Sequence, residues 1–292
     1  MSTLPLRALL PAEFPSLLKE IPQPPKTLWA EGNLPASHLP LLAVVGSRQY
    51  TTYGKQVVEQ LIAGLRHYEV GIISGLALGM DTLAHEAALA NGLYTMAVPG
   101  SGLNASVIYP ASNKRLARRI IDTGGGLLSE LAPDVRAALW TFPQRNRIMA
   151  GMCEATLLIE AGEKSGTLIT ARMATDYNRE LLVVPGSIFS PTSRGTHQFL
   201  KLGATPVTSA EDIVAVMQLE RMDTMTTPRV TNSLSPEARL VLAELSEPTD
   251  RDTLIRKLNL PVAAASIILM QVELEGHIKS EGGYYTAVTY LP

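Results

Sequence analysis

Apolar runs and amphipathic stretches alternate through the middle of the chain. Between residues 40 and 217 the runs are "LLAVVG", "VGIISG", "YTMAVPG", "GLLSEL", "ATLLIEAG" and "ELLVVPG". Short runs that are apolar on both faces predict strands covered on both sides. Between them, "YGKQVVEQLIAGLRHY", "TLAHEAALANG", "SNKRLARRIIDTGG", "RNRIMAGMCE" and "GTLITARMATDYNR" have helical spacing. The second is expected to start after Asp81 and stop at Gly92, and the third takes Ser112 as its expected N-cap. Strands alternating with helices predict an α/β domain: Rossmann-like, doubly wound, with a mostly parallel sheet. Ligands of such sheets sit at the carboxyl ends of the strands.

The flanks have a different pattern. Residues 1–39 are proline-rich, which predicts an extended or loop-rich lead-in in which only "EFPSLLKEI" forms a short helix. Residues 218–234, "QLERMDTMTTPRVTNSL", have no apolar period and read as a linker. Residues 235–292 read as a small unit of three helices: "SPEARLVLAELS", with Ser235 as N-cap and Pro236 first, then "DRDTLIRKLNL" and "PVAAASIILMQVELEG". A hairpin around Gly282-Gly283 follows, giving a winged-helix pattern. The start of the third helix has no Lys or Arg. In a duplex-reading winged helix that part enters the major groove, so the tail is expected to serve a protein contact rather than sequence-specific duplex reading.

Composition narrows the ligand. The 292 residues carry 25 Lys and Arg against 27 Asp and Glu, a formal charge of −2, so a polyanion ligand needs positive charge concentrated on one face. One cysteine, Cys153, leaves no intramolecular disulfide and suits a reducing cytoplasm. A leader with a basic start and apolar core is missing, as is an apolar run of membrane-span length, so a cytoplasmic protein without membrane contact is expected. His67, His85, His197 and His277 are scattered, and neither a metal nor a cofactor is expected.

The chemistry collects in the loops after the strands. They supply Gly46, Ser47 and Arg48; Ser74, Gly75 and Gly79; Gly100 and Ser101; and, in "GEKSGT", Lys164, Ser165, Gly166 and Thr167. Glycine turns let an anion approach the backbone, helix N-termini add N–H donors, and the hydroxyls and cations complete a phosphate site. It is neither the G-x-G-x-x-G dinucleotide fingerprint nor a P-loop. Asp81 and Glu130 near the strand ends are the acidic candidates for catalysis, but Asp81 reads as an N-cap and no nucleophile–base pair is evident.

"TFPQRNRIMAG", residues 141–151, sharpens this. Phe142 precedes Pro143, which sits in the first turn of a helix. Arg145, Asn146 and Arg147 are then expected at its exposed N-terminal end. There the helix dipole disfavours a cation by a few tenths to about 1 kcal/mol. A bound polyanion reverses that penalty; an ion pair with a nearby Asp or Glu is the alternative. Phe142 is either a base-stacking platform or an anchor for the loop. Lys114, Arg115, Arg118 and Arg119 share one helix face, either solvated or in outer contact with a nucleic-acid backbone.

At "VVGSR", "ISGLALGMD", "AVPGSGLNASVIYP", "FPQRNRIMAG", "KSGTLITARMATDYNRELLVVPGS" and "GTHQFLKLGA" the sequence resembles the bacterial DNA-processing protein A (DprA, or Smf) family, over about residues 12–217. The tail resembles the winged-helix domain often found there. The resemblance implies a non-enzymatic, single-stranded DNA-binding recombination mediator that loads RecA in natural transformation and acts as a homodimer. It assigns DNA contact to Arg48 and Lys164. Phe199 and Leu200 are candidates for the dimer surface. His197 stands where the family usually has asparagine, and with about 39 residues before the first strand the sterile-alpha-motif-like domain of many members is not expected. Two other readings of the fold are a nucleotide sensor and a nucleoside-monophosphate phosphoribohydrolase, whose "PGGxGT" loop "GEKSGT" partly echoes.

Overall fold

The alternation of side chains along the strands builds the main unit. In β3 (Leu41–Gly46), Leu41, Ala43 and Val45 face one hydrophobic cluster and Leu42 and Val44 face the other. The computed structural model describes residues 4–222, 236–245, 249–258, 260–275, 278–281 and 284–287. The chain divides into two units, 1–222 and 223–292.

In the first unit β3 is followed by α1 (Thr52–Gly64), β4 (Gly71–Ser74), α2 (Met80–Ala90), β5 (Tyr94–Ala97), α3 (Lys114–Asp122) and β6 (Gly126–Ser129). Then come α4 (Thr141–Met152), β7 (Ala155–Ile159), α5 (Thr167–Asp176), β8 (Glu180–Val183), α6 (Arg194–Lys201), β9 (Thr205–Pro206) and α7 (Ala210–Met217). These strands are parallel, in the order β6-β5-β4-β3-β7-β8-β9. The chain winds outward from β3 through β4, β5 and β6, and then restarts at β7 on the other side of β3. The switch point of this doubly wound sheet is therefore the crevice past the ends of β3 and β7.

The lead-in departs from expectation. It adds two antiparallel edge strands, β1 (Arg7–Ala8) and β2 (Trp29–Gly32), with β2 paired to β6. "EFPSLLKEI" yields a 3₁₀ turn at Leu17–Lys19 after another at Pro11–Glu13. Leu18 and Ile21 bury against α4 in the same cluster as Ile148, Met149 and Met152.

Two helix starts also differ. α2 begins at Met80 behind Gly79, whose φ of +82° is open to glycine at little cost. Asp81 is thus inside the first turn and is not the N-cap. Ser112 lies in a 3₁₀ turn, and Asn113 is the residue that precedes α3.

The second unit contains α8 (Pro236–Ala243), α9 (Arg251–Leu258) and α10 (Val262–Leu274), with β10 (Thr249–Asp250), β11 (Ile278–Glu281) and β12 (Tyr284–Ala287) in the antiparallel order β10-β12-β11. Val241, Leu254, Ile255, Leu269 and Ile278 form its core. Three helices and a small sheet make this a winged helix. Ser235, His277, Gly282-Gly283 and positions 223–234 of the linker lie outside the described residues. Among the described residues no single helix is long and apolar enough to cross a membrane.

Candidate functional site

At the switch point lies a cavity of about 530 Å³. The β3 loop supplies Gly46, Ser47, Arg48 and Gln49; α4 supplies Phe142, Arg145, Asn146 and Met149; and the β7 loop and α5 supply Ser165, Gly166, Thr167 and Thr170. Ala77 and Asp81 come from the β4–α2 connection.

The glycines set how closely these parts meet. A Cβ on Gly46 would lie 2.1 Å from the Ile159 carbonyl, which lets β3 and β7 close beneath the cavity. Short hydroxyl bonds fix the two loops. Ser47 Oγ donates to the Gln49 carbonyl (2.6 Å), and Thr167 Oγ1 donates to the Gly46 carbonyl (2.9 Å), tying the start of α5 to the end of β3. Ser165 Oγ donates to Thr167 Oγ1 (3.0 Å).

Arg145 forms one wall although it is buried, 9% exposed. Its Nη1 donates to the carbonyls of Gly75 and Val98, and its Nε to Asn146 Oδ1 at 3.0 Å. Gly75 is needed for this, because a Cβ there would lie 1.9 Å from Arg145 Nη1. Asp81 Oδ2 accepts from the amides of Gly75 (3.1 Å) and Ala77 (3.3 Å). Burial lowers the Arg145 pKa; the Asp81 charge opposes that shift and the Arg48 charge adds to it. Burial raises the Asp81 carboxyl, opposed chiefly by Arg145. The cavity thus sets the Arg48 charge against a buried arginine that one buried carboxyl, Asp81, partly offsets, and an anion between Arg48 and Arg145 would relieve their repulsion.

Phe142 is an anchor for the loop and at the same time part of the cavity wall. Its ring packs over Gly100, where a Cβ would lie 2.6 Å from the ring, and it also lines the cavity. The Arg48 guanidinium lies over the ring, 5.2 Å from its centroid.

Several expected residues lie outside the lining. Arg147 is the clearest correction. α4 starts at Thr141, so both arginines lie beyond the first turn, where the dipole acts most strongly, and each is 9% exposed rather than at an exposed helix end. Arg147 pairs with both carboxylate oxygens of Glu130 and donates to the Gln23 carbonyl (2.5 Å). The ion-pair alternative therefore describes Arg147, and Glu130 is engaged in holding it. Lys164 is exposed on the β7 loop and does not line the cavity. Ser74 and Ser101 are buried and donate to the Val44 and Gly102 carbonyls. Together with Gly75, Gly79 and Gly100 they support the loops from behind.

Phe199, a candidate for the dimer surface, is buried in the core at 5% exposure, and Leu200 is partly buried against the same cluster. His197 Nε2 lies 3.0 Å from the Gly186 carbonyl. Sequence reading missed Gln49, Met149 and Thr170 in the lining. Met149 lies four residues after Arg145 and Thr170 three after Thr167, so helical spacing alone would have placed them on the same faces.

Comparison with known proteins identifies the architecture. Residues 7–218 match the family described as DNA recombination-mediator protein A, and residues 225–284 match the DprA winged helix domain. The protein Smf of Escherichia coli K12 is 35% identical over 291 residues, covering 96% of this chain and 77% of its own. The DNA processing protein DprA of Streptococcus pneumoniae R6 is 44% identical over 202 residues, covering 69% and 70%. The X-ray structure of S. pneumoniae DprA superposes with a TM-score of 0.68 at 40% identity, covering 74% of this chain and 75% of that one. DNA processing protein A of Helicobacter pylori, solved to show its single-stranded DNA binding mode, gives 0.64 at 28% identity, covering 74% and 96%. With its Rossmann-like unit and its winged helix both matched, the chain belongs to the DprA/Smf family of DNA recombination mediators.

Proposed function

We propose that the chain binds single-stranded DNA through the switch-point cavity and delivers it to RecA, acting as a homodimer in natural transformation. The observation that carries the DNA reading is the pairing of Arg48 and Arg145 around a cavity floored by glycine turns and walled by the Phe142 ring. Guanidiniums and loop amides suit phosphate oxygens, and an aromatic wall suits a base, so the two together suit a nucleotide strand. The similarity to the H. pylori protein supports the same ligand. RecA delivery and dimer formation rest on the family resemblance. The chain is read as acting by binding, because its acidic groups near the cavity, Asp81 and Glu130, are engaged with backbone amides and with Arg147.

The test is a titration of single-stranded DNA, duplex and mononucleotide across salt concentrations. Single-stranded DNA should bind tightest, with affinity falling steeply as salt rises. Tight mononucleotide binding would favour a sensor, and release of free base from nucleoside monophosphates would favour a phosphoribohydrolase. For RecA, filament formation on single-stranded DNA should accelerate when the chain is added; an unchanged rate would remove that step.

A further inference from the structure

Tyr109 continues the aromatic wall outward from the cavity. Its ring centroid lies 5.7 Å from that of Phe142 with the planes tilted by 55°. Phe142 lines the cavity, whereas Tyr109 lies outside the lining and is 46% exposed. A tilted contact steadies the Tyr109 ring and leaves much of it open to solvent.

Beyond Tyr109 the chain turns through Ala111–Asn113 into α3, and this start is tied to the cavity rim. Asn113 Nδ2 donates to the carbonyls of Leu76 (2.8 Å) and Ala77 (3.3 Å) and to Thr82 Oγ1 (2.8 Å), and Ala77 lines the cavity. The basic face of α3 divides in two. Arg118 pairs with Asp122 (2.9 Å) and Arg119 with Glu86 (2.8 Å). Lys114 and Arg115, in the first turn, have no ion pair among the described residues. An exposed aromatic followed by two unpaired cations is the pairing that base stacking and phosphate neutralisation require.

We propose a second nucleotide subsite outside the cavity, in which the base next to the one at Phe142 stacks on Tyr109 and the adjoining phosphates run onto Lys114 and Arg115. This rests on single-stranded DNA being the ligand of the cavity. It gives the strand a direction of exit, across the start of α3.

The test uses the full chain and fluorescence anisotropy with a labelled 15-mer of thymidine, intact or with one abasic site moved along it. Tyr109→Ala and Tyr109→Leu should each weaken binding of the intact strand about tenfold, the worth of one stacked base, while Tyr109→Phe binds like the parent. An abasic site at the Tyr109 position should cost the parent a similar factor and cost Tyr109→Ala nothing more. Lys114→Gln and Arg115→Gln should each reduce the slope of log affinity against log salt by about 0.7. Parent-like binding by Tyr109→Ala, alongside weak binding by Arg48→Ala, would overturn the second subsite and leave the cavity reading standing. Equal weakening by Tyr109→Phe and Tyr109→Ala would overturn stacking. Parent-like binding by Arg48→Ala would remove the cavity reading itself.

Discussion

The Arg48 guanidinium rests on the ring of Phe142, 5.2 Å from its centroid. At an exposed site such a contact is worth about 0.5–1 kcal/mol, enough to hold a surface arginine at the cavity rim without fixing it there. A base approaching Phe142 would displace the guanidinium towards the phosphate that accompanies it.

Arg48→Ala should therefore weaken single-stranded DNA binding for all sequences alike. It should also flatten the salt dependence by about one phosphate contact. Arg48→Lys should fall between, because it keeps the charge and loses the planar fork. Lys164→Ala should have the smaller effect of the two alanine changes, since Lys164 lies outside the lining. Anisotropy titrations at several salt concentrations measure this, and unchanged affinity in the double Arg48→Ala, Lys164→Ala variant would sink the cavity as the binding site.

Arg147 is expected to matter for stability instead. It and Glu130 are largely buried, with side chains 11% and 17% exposed, and Arg147 also fixes the lead-in through the Gln23 carbonyl. Glu130→Ala should cost about 3 kcal/mol by leaving a buried guanidinium without its partner. Replacing both residues, as Glu130→Leu with Arg147→Met, should recover much of that loss. Urea unfolding of the parent and the two variants decides it. If Glu130→Ala melts like the parent but has lost DNA binding, Arg147 belongs to the binding site after all.

The contrast between Arg145 and Arg147 shows where sequence reading stops. The parallel strands were legible because β3, β4, β6 and β7 are apolar on both faces, a pattern set by local burial. The strand-end loops followed, since a doubly wound sheet places its ligand crevice there. β1 and β2 were not legible: they lie among prolines, and β2 exists by backbone pairing to β6, a long-range contact with no local period. The two arginines look alike in "FPQRNR". Only the approach of Glu130 from the end of β6 separates them, and that is tertiary geometry. The same holds for Phe199, whose apolar side chain reads equally as surface or core until α6 is placed against the sheet.

Gly75 and Gly166 make a matched test of close approach. A Cβ at Gly75 would lie 1.9 Å from Arg145 Nη1, so the guanidinium must give up its place on the Gly75 and Val98 carbonyls, whereas at Gly166 it would meet nothing within 4 Å. Gly75→Ala should cost about 1–3 kcal/mol through overpacking and displace Arg145 from the wall, weakening DNA binding as well. Gly166→Ala should leave the unfolding free energy within about 0.5 kcal/mol of the parent value, as expected for an uncrowded surface change. Thermal melts of both variants check this, and a Gly75→Ala protein of parental stability would mean that Arg145 is not confined as described.

His85 gives the fold a pH dependence of defined sign. Its Nδ1 lies 2.8 Å from Thr95 Oγ1, and that hydroxyl donates to the Ile72 carbonyl (2.8 Å), so the imidazole must supply the proton and is neutral with hydrogen on Nδ1. Its buried Nε2 has no partner. Burial pushes the His85 pKa down from 6.5 to about 3. Between those values the unfolded chain holds a proton that the native chain does not, so stability is full above pH 6.5 and falls as pH drops towards 3. From pH 6.5 to pH 5 the loss from this residue should be about 2 kcal/mol. Asp81, raised by burial, works in the opposite sense, its contribution being lost as pH rises through its native value. Both the parent and a His85→Gln variant retain Asp81, so the difference between them reports His85. Urea unfolding of the two from pH 7.5 to pH 5 should show a parent stability that declines more steeply with acid, and parallel curves would show that His85 is not buried in its neutral form.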